Sequence, residues 1–175
     1  MEYLTVSHTK FLSFLTINHA PPNALRAASS RILIDHEVID TDMPGENSVS
    51  KFKIVDGGNI PLIENDLQRH YDDAERAVRY AIKKGVLPVS IGGDDGITNP
   101  VIRGLDGLND ITIIQIDAHL DWRDERFGEK DGYSSPMRRA SELDHISAIH
   151  QVGVRSFGSS RKTDLEQAKK WGSKI

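Results

Sequence analysis

Three residues whose side chains commonly bind metal ions lie at alternate positions in one short segment. The stretch "ITIIQIDAHLDW", residues 111–122, places Asp117, His119 and Asp121 directly after a run of aliphatic side chains. If the backbone stays extended, the three side chains project to the same side, because side chains in a strand alternate with a period of two. Two carboxylates and an imidazole suit Mn²⁺, Fe²⁺ or Zn²⁺. A bridging carboxylate such as Asp117 could hold two ions, and such a pair generates hydroxide from water at neutral pH.

The same segment also has a purely structural explanation. A buried strand often ends in a polar loop, and the Asp residues of such a loop commonly cap a turn through their own side chains. The D-x-H-x-D pattern alone leaves the metal site and the capped turn open.

A second acidic loop follows another apolar run. In "VSIGGDDGITNP", the run at residues 87–91 ends at two glycines, which are followed by Asp94 and Asp95. In open parallel sheets, ligands bind beyond the carboxyl ends of the strands. The loop lacks the Lys and the spacing of a P-loop, and its acids would repel a phosphate. Two acidic loops therefore favour a cation, either a metal ion or a cationic substrate, although paired glycines and acids also suit a tight turn before a helix.

The elements that must position these loops alternate between strands and helices. Strands are predicted at residues 11–17, 52–55, 87–91, 111–116 and 146–154. The clearest helical pattern covers residues 64–84, where apolar side chains recur at three- and four-residue steps. This alternation, with right-handed crossovers, predicts an α/β sandwich with a mainly parallel sheet. The continuous apolarity of residues 111–116 predicts a strand that is buried on both faces.

Three further helix starts are indicated by capping residues. They are Asn99 before Pro100, Ser135 before Pro136, and Thr163 with Glu166 in a capping box.

The composition narrows the class of protein and of partner. The 175 residues are 38% hydrophobic and 27% charged, which is typical of a globular protein and unlike disordered or fibrous chains. The formal charge of −4 offers no basic surplus for a nucleic-acid backbone, so no nucleic-acid partner is expected. The absence of cysteine fits a reducing cytoplasm. The apolar run "FLSFLTI" is too short to span a membrane, so no membrane partner is expected.

Four segments together resemble the ureohydrolase family, the arginase and agmatinase group. They are "SIGGDDGITNP", "IIQIDAHLDW", "GYSSPMRRASE" and "QVGVRSFGSSR", in the family's order and at its approximate spacing. The likeness spans about residues 87–175, and Gly-Gly-Asp-Asp with Gly-Tyr-Ser-Ser looks like an agmatinase-like subgroup. The resemblance implies a three-layer α/β/α sandwich with a mainly parallel sheet. It also implies a pair of Mn²⁺ ions at the carboxyl ends of the strands and hydrolysis of a guanidino group to urea and an amine.

The resemblance also implies roles for individual residues. Asp117 would bridge the two ions, His119 would bind one of them and Asp121 the other. Asp95 stands where most family members have a histidine ligand, and a carboxylate can bind the same ion. Asp94 would be a catalytic acid beside the metal ligands, and His119 would contribute to catalysis as well as to metal binding.

Two family features have no counterpart in this sequence. The family usually shows Ser-His-Gly before its Pro-x-Arg-Arg segment, whereas "YSSPMRR" contains no histidine. The family's last metal motif, an Asp-x-Asp beyond a further strand, does not occur before Ile175. We therefore expect residues 1–175 to form a single, partial ureohydrolase-like α/β domain, incomplete at its C-terminus, whose full-length form is a homo-oligomer.

The leading hypothesis for function is an agmatinase-like amidinohydrolase. A metal-activated hydroxide would hydrolyse a guanidino C–N bond of a cationic small molecule to urea plus an amine. One alternative is a truncated, non-catalytic metal-binding or partner-binding remnant of that family. Another is a related metal-dependent hydrolase that acts on an amide. The sequence does not select among agmatine, arginine and guanidinobutyrate.

Overall fold

The computed structural model describes residues 9–14, 20–29, 53–61 and 66–175. Two compact units, Met1–Gly93 and Asp94–Ile175, make up the chain. The helices and strands are, in chain order, β1 Thr9–Phe14, α1 Ala20–Ser29, β2 Lys53–Asn59, α2 Leu67–Lys83, β3 Leu87–Ser90, α3 Thr98–Arg103, β4 Ile111–Ile116, α4 Pro136–Ala140, β5 Ile146–Val152 and α5 Lys162–Trp171. The single domain expected over residues 1–175 stays a prediction.

The first unit contains a three-stranded parallel sheet in the order β2-β1-β3. Residues 15–17 of the first predicted strand lie outside the described residues. The predicted helix over residues 64–84 is confirmed as α2, which runs from Leu67 to Lys83, while residues 64–65 lie outside the described residues. Its apolar stripe is buried at Tyr71, Ala74, Val78 and Ala81. Gly85 ends it with a φ of 67°, a conformation that glycine adopts without steric cost.

The second unit is built on the parallel pair β4–β5. Its core contains the buried residues Ile102, Leu120, Trp122, Met137, Ala140, Ile146, Ile149 and Ala168. All pairings between the named strands are parallel, which confirms the predicted α/β class with a parallel sheet. Among the described residues, no helix has both the length and the apolarity needed to cross a membrane.

The prediction that β4 is buried on both faces is wrong. Ile111 and Ile113 pack against the core of the second unit. Ile114 and Ile116 alternate with them on the opposite face and are 69% and 84% exposed. The cause is the strand period of two, which directs every second side chain of β4 away from the core.

The predicted start of α3 at Asn99 is also wrong. The helix begins at Thr98, with Ile97 at the capping position, so Asn99 lies within the first turn. The buried amide of Asn99 instead donates to the Asp131 carbonyl oxygen at 2.6 Å. A tertiary hydrogen bond therefore uses the side chain that the local pattern assigned to a cap.

The other two cap predictions fare differently from each other. Ser135 does precede α4 and Pro136 opens it, but the Ser135 side chain makes no capping hydrogen bond. The capping box of Thr163 and Glu166 is wrong, because α5 starts at Lys162 and the capping position is occupied by Arg161.

Candidate metal centre

Three carboxylates from the two acidic loops converge in the second unit. Oxygen atoms of Asp95, Asp117 and Asp121 all lie within 4.8 Å of one another. Asp121 is buried, Asp117 is half-buried and Asp95 is exposed. Three carboxylates offer hard oxygen ligands of the kind that Mn²⁺, Mg²⁺ and Ca²⁺ prefer, so this donor set fits a divalent cation.

The backbone between Asp117 and Asp121 is bent rather than extended. β4 ends at Ile116, although the Asp117 N–H still donates to the Val152 carbonyl at 3.0 Å. The Asp117 carboxylate then accepts the His119 N–H at 2.6 Å, which closes a turn of the kind that Asp favours. The expectation of an extended segment with three side chains in register is therefore wrong. The capped turn and the carboxylate cluster occur together, on the same aspartate.

Asp121 is held by its backbone as well as by its side chain. Its φ is 50°, in the left-handed region, and its carbonyl oxygen accepts the N–H groups of Met137 and Arg138 at 3.0 and 3.2 Å. These bonds tie the loop to the first turn of α4. The Asp121 carboxylate accepts a hydrogen bond from the Gln115 side chain at 2.6 Å.

His119 lies beside the cluster of Asp95, Asp117 and Asp121 but is not among the residues whose ligand atoms lie within 4.8 Å of one another. Its Nδ1 is 3.1 Å from an Asp117 carboxylate oxygen, and its side chain is exposed. It lines the same cavity as Asp95 and Asp121. The roles of His119 as a metal ligand and a catalytic group stay predictions.

Asp94 points its carboxylate at the backbone instead of joining the cluster. The carboxylate accepts the Gly96 N–H at 2.8 Å and so caps the short 3-10 turn Asp95–Ile97. Of the two adjacent acids in the Gly-Gly-Asp-Asp loop, only Asp95 has an oxygen in the described cluster. The catalytic role expected for Asp94 stays a prediction.

The proximity of the three carboxylates changes their acidity. Burial, followed by the negative charges of Asp117 and Asp95, raises the pKa of Asp121 to about 7. Asp95 is exposed as a whole residue, but desolvation of its carboxyl, and then the charges of Asp117 and Asp94, raise its pKa as well. Both shifts disfavour the ionised carboxylates, first through desolvation and then through mutual repulsion. A cation bound between the carboxylates would offset that repulsion.

A cavity of about 260 Å³ adjoins the cluster. Besides Asp95, His119 and Asp121, its lining includes Trp122, Arg123, Arg126, Tyr133, Ser134 and Asp164. The Tyr133 hydroxyl accepts a hydrogen bond from the Arg126 guanidinium, which also lies 5.2 Å from the centre of the Tyr133 ring. Tyr133 belongs to the "YSSPMRR" segment that lacks the family's histidine, so a phenol is the titratable group that this segment contributes to the cavity.

Gln115 is the residue near the cluster that sequence reasoning missed. The one signal for it was an amide within the otherwise aliphatic and β-branched run of residues 111–116. A partly buried amide in a strand is normally hydrogen-bonded, and here its partner is Asp121.

The match to known proteins covers most of the chain. A family model described as the arginase family matches residues 18–175. The chain belongs to the arginase family. It is 31% identical over 166 residues to an agmatinase of Bacillus subtilis, an alignment that covers 91% of this chain and 54% of that protein. It is 27% identical over 134 residues to a guanidinobutyrase of Pseudomonas aeruginosa, covering 75% of this chain and 42% of that enzyme.

The solved structures agree with this assignment at the level of the fold. Formimidoylglutamase from Bacillus subtilis superposes with a TM-score of 0.79 and 21% identity, covering all of this chain and 56% of that one. The arginase-like α/β fold expected from the sequence is thereby confirmed. This arginase-family chain spans about half the length of the curated relatives that it matches.

Proposed function

We propose that this chain is part of a metal-dependent ureohydrolase of the agmatinase type, which hydrolyses a guanidino C–N bond to urea and an amine. The observation that carries the proposal is the convergence of Asp95, Asp117 and Asp121 within 4.8 Å in an arginase-family chain. The similarity to an agmatinase and to a guanidinobutyrase supports a guanidino compound as substrate.

Asp95, Asp117 and Asp121 would hold the cation, with His119 as a further ligand. Mn²⁺ is the proposed ion. The family resemblance implies that two such ions are bound. A divalent cation held there would lower the pKa of water and so would supply a nucleophile at neutral pH. Asp121, whose pKa is raised to about 7 by burial and by the neighbouring carboxylates, would bind the cation in its ionised form.

The protein's own groups would provide proton transfer around the guanidino carbon. In the tautomer that donates Nδ1–H to Asp117, His119 keeps a lone pair on Nε2, which can bind a cation or accept a proton. The Tyr133 hydroxyl is proposed as a second proton-transfer group, in place of the family's histidine.

Urea release and Mn²⁺ binding test the proposal together. The Mn²⁺-loaded chain is assayed with agmatine, arginine and guanidinobutyrate, and Mn²⁺ affinity is measured by calorimetry. We expect urea from at least one compound and its loss in Asp117→Ala, while Asp110→Asn, which changes an exposed aspartate outside the cluster, keeps activity.

Two outcomes would favour the alternatives instead. Mn²⁺ binding without urea release from any of the compounds would favour a non-catalytic metal-binding protein. Release of ammonia and an acid from an amide, with no urea from guanidino compounds, would favour an amide hydrolase on the same fold. A cytoplasmic location, assembly into a homo-oligomer, and the absence of nucleic-acid and membrane partners remain proposals drawn from the sequence.

A further inference from the structure

A chain of hydrogen-bonded side chains leads from the Asp121 carboxylate into the core of the second unit. Gln115 Nε2 donates to Asp121 Oδ2 at 2.6 Å, and Gln151 Nε2 donates to Gln115 Oε1 at 2.6 Å. The single O–H of Ser173 has two acceptors within reach, Gln151 Oε1 at 3.0 Å and the Ile149 carbonyl oxygen at 3.3 Å, of which Gln151 Oε1 is the closer. Gln151 and Ser173 are buried, at 4% and 8% exposure, and Gln115 is half-buried. A continuous polar path thus runs from the carboxylate cluster into the buried part of the second unit.

The β-sheet brings the two glutamines together. Gln115 in β4 and Gln151 in β5 are register partners in the parallel ladder, so their side chains emerge side by side. The backbone of β5 also pairs with the segment that follows α5. The Gln151 N–H donates to the Lys174 carbonyl at 2.7 Å, and the Lys174 N–H donates to the Ile149 carbonyl at 3.0 Å. The segment after α5 is therefore tied to β5, which fixes the position of Ser173.

The direction of the whole path is set at Gln151. Its Nε2 also donates to the Leu120 carbonyl oxygen at 2.7 Å. Rotating the amide by 180° would bring Oε1 against that carbonyl, where two acceptors repel each other. Gln151 must therefore present its NH₂ to Gln115 Oε1. Gln115 in turn must present its own NH₂ to Asp121, so the last group in the path is always a donor to the carboxylate.

We propose that Gln115, Gln151 and Ser173 are positioning residues that set the orientation of the Asp121 carboxylate for cation binding. By fixing Oδ2, the Gln115 donor determines where Oδ1 lies. Buried amides are retained in a core only when their hydrogen bonds are satisfied, and here the path ends on a member of the carboxylate cluster. The inference rests on the proposed function, since it presumes that Asp121 binds a cation.

The test is Mn²⁺ affinity, measured by calorimetry on the 175-residue chain with the metal alone. Gln115→Met keeps the length of the side chain and removes its donor. We expect Mn²⁺ to bind this variant about 10- to 100-fold more weakly, the range found when groups that orient metal ligands are removed. The matched control is Gln68→Met, which removes a Gln-to-Asp hydrogen bond of 2.8 Å on the exposed surface of α2 and should leave Mn²⁺ affinity unchanged.

A double-mutant cycle separates positioning from general damage to the core. If the path acts as a unit, Gln151→Met also weakens Mn²⁺ binding, and the double variant with Gln115→Met is no weaker than the worse single variant. Losses that add would mean two independent packing defects and would overturn the proposal. If Gln115→Met does not fold, Ser173→Ala, which deletes one hydroxyl, serves in its place; it should weaken Mn²⁺ binding, and unchanged affinity would overturn the proposal.

Asp121→Asn distinguishes failure of this inference from failure of the proposed function. If Asp121→Asn binds Mn²⁺ weakly and Gln115→Met binds it like the wild type, the positioning role is wrong and the metal site stands. If Asp121→Asn binds like the wild type, or if the wild type binds no Mn²⁺, the cation site and the positioning role both fail.

Discussion

Replacing Asp121 by Asn should change how the stability of the metal-free chain depends on pH. The folded chain raises the pKa of the Asp121 carboxyl from 3.8 to about 7, first through burial and then through Asp117 and Asp95. Asn has nearly the same shape, never ionises, and can turn its carbonyl oxygen toward the Gln115 amide. The substitution therefore removes the cost of a buried negative charge while keeping the local hydrogen bond.

The sign and size follow from proton linkage. Well below pH 3.8, Asp121 is protonated in the folded and the unfolded chain, and it adds no pH dependence. Between pH 3.8 and about 7, the folded chain keeps the proton that the unfolded chain loses, so the free energy of unfolding falls as pH rises. Each unit of pH is worth about 1.4 kcal/mol, so an interval of about three units amounts to about 4 kcal/mol. Above pH 7 this contribution is constant.

Urea denaturation in the presence of a chelator measures the effect. Between pH 4 and pH 7.5, the wild type should lose up to about 4 kcal/mol more stability than Asp121→Asn. Asp95, whose pKa is also raised, contributes a slope of the same sign in both proteins. Asp110→Asn, which deletes an exposed aspartate, serves as the control for the loss of one charge. Parallel stability curves for the wild type and Asp121→Asn would refute the reasoning that burial and carboxylate repulsion set the pKa.

Further substitutions probe the frame around the cluster. Gly153→Ala places a methyl group 3.2 Å from the Asp117 carbonyl oxygen at a φ of +98°, and it should cost about 1–3 kcal/mol and weaken Mn²⁺ binding in calorimetry. Gly85→Ala is the control, because Gly85 has a φ of +67° but open space around the added Cβ. It should lower the free energy of unfolding by about 1 kcal/mol and leave Mn²⁺ affinity unchanged. An equal loss of affinity in both variants would contradict a local effect at Asp117. Trp122→Ala empties a buried site of 2% exposure and should cost about 3–5 kcal/mol in urea denaturation; a cost below 1 kcal/mol would contradict its place in the core. His119→Ala should abolish urea release and weaken Mn²⁺ binding, and unchanged kinetics would remove His119 from the mechanism.

The α/β class was predictable because it depends on local patterns. Apolar runs of strand length alternate with an amphipathic helical repeat along the chain. The structure has strands β4 and β5 at two of these runs and helix α2 at the helical repeat. The helix starts were less predictable, since capping residues compete with tertiary contacts. Asn99 is the example: its amide has a partner 32 residues away in the chain, at Asp131, which no local pattern reveals.

The residue types at the candidate site could also be predicted from the sequence, whereas their spatial arrangement could not. The D-x-H-x-D motif and the Gly-Gly-Asp-Asp loop contain every member of the carboxylate cluster. A backbone turn decides which of the adjacent acids Asp94 and Asp95 joins the carboxylate cluster. The Asp94 carboxylate accepts the Gly96 N–H, whereas the Asp95 carboxylate lies in the cluster. The burial that raises the pKa of Asp121 is likewise a property of the packed unit.

The parallel α/β order and the residue types that could bind a cation were readable from the chain alone, because they depend on spacing along it, and the family was recognisable from the resemblance of four segments. The packed structure was needed to show which carboxylates meet, which face of β4 is covered, and that Gln115 donates to Asp121. These features arise from contacts between segments far apart in sequence, such as the pairing of Gln115 with Gln151 across β4 and β5. Such contacts form when the strands align and exclude water, and they leave no periodic trace in the chain itself.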